Sequence, residues 1–239
     1  MAISRFKTSS VAQGLPKYQK ISNLDVAFPT TNLIAKYATP PSSGSTWTDT
    51  VGGYNLTLSG TTYNSSVGGN LTMGSASNNS FSMNGTSDYT FAIWANPTSL
   101  SGTSYTTMYP LFGVSNTSTP GSLLVGAGTN SLYMNGYDNN GFNAVGTVST
   151  NIWQLFTFCL GAGNSASVSD IYINSVKQSW SGVYGYGGAK PTPLNIGSAA
   201  TLNTNTWHGY IGSVYIWNKK LSSNDVSALF ENTRTRFGV

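Results

Sequence analysis

From Tyr210 to Trp217 the chain carries bulky residues on both alternating faces, with Tyr210, Val214 and Ile216 on one side and Ile211, Tyr215 and Trp217 on the other. A strand with one wet face alternates apolar and polar positions, so this run predicts a central strand covered on both sides. Ser222 follows, with Asp225 three residues on, which matches a capping box built with the shorter acid, and Leu221 and Val226 occupy the positions of a hydrophobic staple. A short helix over about 222 to 231 is therefore predicted, with Val226, Leu229 and Phe230 on its buried side. A buried strand, a tight turn and one short helix close this region of the chain.

Upstream, turn signals recur between short apolar runs, at Gly52-Gly53, Gly68-Gly69, Asn84-Gly85, Asn135-Gly136, Asn140-Gly141 and Gly187-Gly188. That spacing suits an antiparallel sandwich better than a helical or βαβ chain. Charged residues make up 8% of the sequence, against about 25% in ordinary soluble domains, and Gly, Ser, Thr and Asn fill the polar positions. The exterior is thus expected to be neutral and hydrogen-bonding. Six Trp, fourteen Tyr and ten Phe supply apolar area for one large core in a chain of 239 residues. No apolar run reaches the roughly 20 residues of a membrane-spanning helix, so no membrane partner is expected.

The first twenty residues differ from the rest: they hold Arg5, Lys7, Lys17 and Lys20 and no acid, four charges against a net +4 for the whole chain. Scattered Ile3, Phe6, Val11, Leu15 and Tyr18 show no helical period, so this arm buries little by itself. No apolar core of a secretory signal follows Arg5 and Lys7, and synthesis in a cytoplasm without export is expected. Cys159 is the single cysteine and lies within an apolar run, which predicts a buried, inert thiol and excludes a disulfide within the monomer.

The order of several motifs resembles the laminin-G-like, concanavalin A-like jelly rolls, in particular their bacteriophage and marine viral members. Trp47-Thr48-Asp49, Asn55-Leu56-Thr57 and Tyr63-Asn64-Ser65 match the opening of such domains; Asp88 to Pro97 is similar to their first core strand, Trp153 to Phe158 to a later one, and Asp170 to Lys177 to a hairpin. The C-terminal strand and helix resemble the closing signature. The resemblance implies an all-β antiparallel β-sandwich, a jelly roll with one short C-terminal helix and an extended N-terminal arm, divided as residues 1–30 and 31–239. Strands are expected around 89 to 96, 153 to 160, 170 to 174 and 210 to 217. The sequence departs where the family often carries acids: Ser82-Met83-Asn84-Gly85 stands for a Phe-Asp-Gly, and Gly212 and Ser213 follow Ile211. The resemblance therefore does not carry calcium binding over to this chain. The arm resembles the start of marine-bacteriophage virion proteins.

Glycan-cleaving enzymes of this architecture need two carboxyl groups facing each other across the scissile bond. The seven acids here are Asp25, Asp49, Asp88, Asp138, Asp170, Asp225 and Glu231, and no two are closer than the six positions between the last pair. No catalytic residue is assigned, and the chain is expected not to be an enzyme. His208 is the lone histidine, without the partners of a zinc site or a nucleophile relay. Asp138 and Asn140 give the run from Tyr137 to Phe142 a weak calcium-loop character, but Ser149 stands where a bidentate Glu would be, and an Asn-Gly hairpin turn is the better reading. No metal or cofactor is expected.

Two readings of function remain. Trp180, Tyr184 and Tyr186 in one Gly-rich connection, with Tyr137 and Phe142 in another, present rings on which sugars stack, or else they plug the sandwich ends and touch neighbouring subunits. The expected function is a non-enzymatic virion structural protein of a bacteriophage, a capsid decoration protein that displays a lectin-like jelly roll. Arg5, Phe6, Lys7, Leu15, Pro16 and Tyr18 form the anchor to other virion proteins, the major capsid protein or tail and fibre subunits. The alternative is a carbohydrate-binding adhesin of a tail or fibre that meets a host surface glycan. A homo-oligomer in the particle is expected under either reading, and nucleic acid is not expected as a partner, because the basic residues of the domain form no face.

Overall fold

A computed structural model of the chain describes residues 27–65, 70–72, 74–83, 86–102, 107–114, 123–128, 131–136, 142–145, 147–162, 168–180, 193–198 and 205–239. The described strands in chain order are β1 (Leu33–Tyr37), β2 (Thr46–Trp47), β3 (Leu56–Ser59), β4 (Thr62–Asn64), β5 (Asn70–Thr72) and β6 (Ser75–Asn78). Then come β7 (Tyr89–Pro97), β8 (Tyr109–Val114), β9 (Leu123–Gly128), β10 (Ser131–Gly136), β11 (Phe142–Val145) and β12 (Gln154–Leu160). The series ends with β13 (Asp170–Ile173), β14 (Val176–Lys177), β15 (Ser179–Trp180), β16 (Leu194–Ile196) and β17 (Gly209–Trp217), followed by α1 (Ser223–Thr233) and a 3-10 turn, Arg234–Phe237.

Every pairing is antiparallel, and the strands form two sheets. The back sheet runs β14-β13-β12-β7-β17-β5-β4, with β1 also on β17, and the front sheet runs β15-β11-β10-β9-β8-β16-β6-β3-β2. Between them lies one core that includes Trp47, Phe81, Phe91, Phe112, Phe156, Phe158 and Trp207, with Phe91 and Phe112 stacked at 4.4 Å. A second cluster fills the outer side of the back sheet, where Trp94, Leu155, Cys159, Tyr215 and Trp217 meet Val226, Leu229 and Phe237. This second layer explains why β7, β12 and β17 are apolar on both faces: one face meets the front sheet and the other meets the helix.

The helix starts as its sequence dictates. Asp225 N–H donates to Ser222 Oγ, and Ser222 N–H donates to Asp225 Oδ2, so two donors at the helix start are satisfied reciprocally. Leu221 and Val226 are buried beside them, as the staple requires. Trp94 Nε1 donates to Thr233 Oγ1 at 2.8 Å, and the Trp94 ring stacks on Phe237 at 4.4 Å, which docks the far end of the helix. The chain joins the sandwich on this same side. Phe28 lies against Tyr215 and Trp217, and Trp217 Nε1 donates to the Pro29 carbonyl at 2.8 Å.

The motif Trp47-Thr48-Asp49 proves to be a fold device. Trp47 is fully buried against Tyr37, and its Nε1 donates to the Thr39 carbonyl. The Asp49 carboxylate accepts four backbone N–H groups, from Lys36 and Val51 on Oδ1 and from Gly52 and Tyr54 on Oδ2, at 2.8 to 3.0 Å. Gly52 is obligatory here because a Cβ would meet the Ile34 carbonyl oxygen at 2.0 Å. The departure at Gly212 and Ser213 also has a structural role. The β17 register slips between Ile211 and Ser213, and Ser213 Oγ donates to the Ala38 carbonyl and accepts from Arg236.

Candidate functional site

The outer face of the front sheet is built by strict alternation. Leu56, Leu58, Ala76, Phe112, Val114, Leu194 and Ile196 face the core, so the residues between them face outward. Strand register places Thr46, Thr57, Ser77, Asn195 and Gly113 side by side across five strands, β2, β3, β6, β16 and β8. A neighbouring stretch holds Gly126 beside Tyr133, whose ring lies over Gly128. Neither glycine has space for a side chain, since a Cβ would approach backbone oxygens within 2.5 Å at Gly126 and 2.3 Å at Gly128. The result is a floor of glycines and short hydroxyl and amide side chains with one aromatic ring beside it. None of the nine front-sheet strands contains a charged residue.

Asn195 stands out on this face. It is 5% exposed, and its Nδ2 has no hydrogen-bond partner. A buried donor left unmade costs about 1–3 kcal/mol, and a ligand oxygen would recover that cost. The other three orphaned atoms among the described residues lie elsewhere: Asn96 Oδ1 and Thr157 Oγ1 follow the outer side of the back sheet, and the Trp207 ring belongs to the core.

Each described acid has structural work. Asp49 holds its turn, Asp88 accepts the Ala162 N–H at 2.8 Å, Asp225 caps the helix, and Glu231 pairs with Arg234 at 2.8 Å. Asp170 is bridged by Lys177 and by Lys220, the latter at 2.8 Å. Burial raises the Asp170 carboxyl, but hydrogen bonds from Lys177 and Lys220 outweigh it and hold the group below the ordinary value. Cys159 is buried, and desolvation pushes its thiol up to about 12, so it is not a nucleophile at neutral pH. His208 stacks flat on Tyr109 at 4.0 Å, with Ser99 Oγ 3.4 Å from its Nδ1. Among the described residues no group of three His, Cys, Asp or Glu side chains gathers around a point, and no helix is long and apolar enough to cross a membrane.

Two of the predicted ring positions are corrected. Trp180 lies in β15 and Phe142 in β11, paired strands of the front sheet rather than loops. In register, Trp180 sits opposite Ala144 and Phe142 opposite Met134. The β-rich character of both flanking sequences is carried by only two and four residues, too few to stand out from the Gly-rich text around them. Tyr137, Tyr184 and Tyr186, the weak calcium candidates Asp138 and Asn140, and the anchor residues Arg5, Phe6, Lys7, Leu15, Pro16 and Tyr18 lie outside the described residues. Sequence reasoning missed Asn195, Ser77 and Tyr133, whose residue types are ordinary for this composition and whose proximity comes only from strand pairing.

Comparison with known families and structures agrees with this architecture. The family model described as the concanavalin A-like lectin/glucanases superfamily matches residues 68–227. Domain 4 of the extracellular GH43 arabinanase AbnA from Geobacillus stearothermophilus, solved with arabinotriose, superposes with a TM-score of 0.59 at 15% identity, covering 83% of this chain and 98% of that one. The binding domain of Paraclostridial Mosquitocidal Protein 1 gives 0.63 at 15% identity, covering 84% and 52%. Trypanosoma rangeli sialidase gives 0.59 at 14% identity over 88% of this chain, which spans 34% of the sialidase chain. Among curated proteins none matches the sequence.

Proposed function

The chain belongs to the concanavalin A-like lectin/glucanases superfamily, and from that premise we propose that it is a non-enzymatic display module that binds an uncharged glycan on the outer face of its front sheet. The observation that carries the proposal is the nine-stranded sheet without a charged residue, on which the buried, unpartnered Nδ2 of Asn195 lies in the row of Thr57, Ser77 and Gly113. Neutral sugars offer hydroxyls that donate and accept at once, so short hydroxyl and amide side chains complement them without any charge to desolvate. The arabinotriose in the complex with the similar arabinanase domain is a ligand of this chemical kind. A hydrolase would need a pair of carboxyl groups on the face that holds the sugar. The described acids are instead committed to turns, ion pairs and a helix cap.

The second half of the proposal is the address. Residues 1–20 resemble the arm of marine-bacteriophage virion proteins, and we place the module on a virion, as a capsid decoration protein held by that arm. The observation in favour is directional: Phe28 and Pro29 join the molecule on the helix side, so a tether leaving there keeps the neutral face turned away from its attachment. A tail or fibre adhesin would use the same two sides.

A glycan array with the full chain tests the binding half. Neutral oligosaccharides are expected to bind, and Asn195→Leu should abolish binding while leaving thermal stability equal or higher, because it removes an unmade donor. No signal on any neutral glycan, or an Asn195→Leu variant that binds as well as the parent, refutes it. Deleting residues 2–20 tests the address: glycan binding should persist while incorporation into particles is lost, and full incorporation would overturn it.

A further inference from the structure

The outer side of the back sheet is covered by the helix only in part. Along β7 the core takes Phe91, Ile93 and Ala95, so Ala92, Trp94 and Asn96 face the helix side. Val226, Leu229 and Phe237 cluster with Ala92 and Trp94, and Asn96 lies at the end of the strand beyond them. In register Asn96 stands opposite Tyr210 of β17, Tyr210 opposite Thr72 of β5, and Thr72 opposite Thr62 of β4. Their neighbours Ala95, Ile211 and Leu71 are buried in the core, which fixes all four on the outer side. Burial is graded along this row: Thr62 and Thr72 are exposed, Tyr210 is half-buried, and Asn96 is 9% exposed. Asn96 Oδ1 has no hydrogen-bond partner. A buried amide oxygen left unmade is costly, and a ligand group that donates to it would recover that cost. Trp153, which precedes the Gln154–Ala95 pair and packs on Phe237 at 4.8 Å, closes the row at its buried end. The other end is open, because β4 is the edge of the sheet.

The row itself says what kind of ligand. None of its four strands contains a charged residue, so an ion would give up its hydration there for no opposite charge on those strands. An apolar ligand would leave Asn96 as dry as before. An extended peptide would pair with the free edge of β4 rather than run across four strands. A sugar meets each demand: one hydroxyl donates to Asn96 Oδ1, others exchange hydrogen bonds with the Thr62 and Thr72 hydroxyls, and its C–H face covers the open part of the Tyr210 ring. Thr62 and Asn96 are three strand spacings apart, about 14 Å, which suits an oligosaccharide rather than a single sugar. We propose that this row is a second binding site, for a neutral oligosaccharide, on the side of the sandwich opposite to Asn195, so that each chain is divalent. The site rests on its own orphaned atom and does not need the front face. Phe28 packs on Trp217, at the far end of β17 from Tyr210, well away from the row.

The full chain, labelled with 15N at asparagine, is titrated with maltotriose, cellotriose and laminaritriose and followed by NMR, with the side-chain amide signals of Asn96 and Asn195 assigned by their loss in Asn96→Leu and Asn195→Leu. With at least one of the three sugars the Asn96 signals should shift saturably, independently of salt, and at least tenfold more tightly than with the matching monosaccharide. Thr72→Arg, at an exposed position in the middle of the row, should weaken that binding at least tenfold without loss of folding. Neither Thr72→Arg nor Asn96→Leu should alter the titration of the Asn195 signals, and Asn195→Leu should not alter that of Asn96. Asn96 signals that stay still at saturation with all three sugars, or a folded Thr72→Arg protein in which they shift as in the parent, overturn the proposal. If the Asn195 signals stay still while those of Asn96 behave as stated, the front-face reading falls and this one stands; the converse result sinks this site alone.

Discussion

Replacing Asp49 by alanine removes the acceptor of four backbone N–H groups at once. The four do not lose equally. Val51 and Gly52 are exposed, so water takes the place of the carboxylate there, whereas Lys36 and Tyr54 are half-buried and Asp49 itself is 6% exposed. Two donors are therefore left dry, at about 1.5–2 kcal/mol each for a bond to a charged acceptor, and the expected loss is about 3–4 kcal/mol. The turn has a second fastening, the Tyr37 hydroxyl on the Tyr54 carbonyl at 2.6 Å, which limits the damage to the segment 49–54 rather than spreading it. Asp49→Asn keeps one oxygen but turns an NH2 toward two N–H donors, and should cost about 2–3 kcal/mol. Urea unfolding followed by tryptophan fluorescence reads both values, and the alanine variant should melt about 10 °C lower, at roughly 2–4 °C per kcal/mol for a chain of this size. Glycan binding at saturating ligand should be unchanged in the folded fraction. An Asp49→Ala protein within 1 kcal/mol of the parent would refute the reasoning, and a folded variant that loses binding would move Asp49 from the fold to the site.

The other predictions rest on single side chains. Cys159, with its thiol raised to about 12 by burial, should resist aromatic disulfide reagents at pH 8 for as long as the protein is folded and react within seconds in denaturant; fast labelling of the native protein would contradict this. Asp170 is held below the ordinary carboxyl value of 3.8 in the folded state, so its contribution is fully present above that value and is lost as pH falls through the folded value. Stability should therefore drop below about pH 4, with a shallower drop in Asp170→Asn; identical acid limbs would refute the assignment. Ser222→Ala removes the cap acceptor of Asp225 N–H and should cost about 1 kcal/mol in urea unfolding; no loss would show that the helix is held by packing alone.

The parts of this molecule written in consecutive residues were legible in its sequence. β17 was visible because covering on both sides writes apolar residues at every position, and the helix was visible because its cap and staple fall within six residues of one another, Leu221 to Val226. β7, β12 and β13 were expected within a residue or so of where they lie. The Trp47-Thr48-Asp49 motif could be seen, but the work of the carboxylate could not, since its four donors come from positions 36 to 54 and converge only when the turn closes. The front face was illegible for the same reason on a larger scale: Asn195 meets Ser77 across more than a hundred residues, and neither residue type is unusual in this chain. Lys36 and Arg236 lie near opposite ends of the sequence, and they meet only because β1 pairs with β17 and Arg236 donates to the Ala38 carbonyl.

That pairing also orders events during synthesis. β17 emerges late, yet it is the hinge of the back sheet, bound to β7 along its whole length on one side and to β5 and β1 on the other. Until it leaves the ribosome, β1 and β7 have no partner on those edges, and the ring faces of Trp94 and Phe28 have nothing to cover them. Nascent chains stalled before residue 209 should thus be sticky and protease-sensitive, and folding should come as one late, slow step in which the last strand slots between elements made long before it. A chain assembled in this way should need chaperone protection for as long as it takes to translate it.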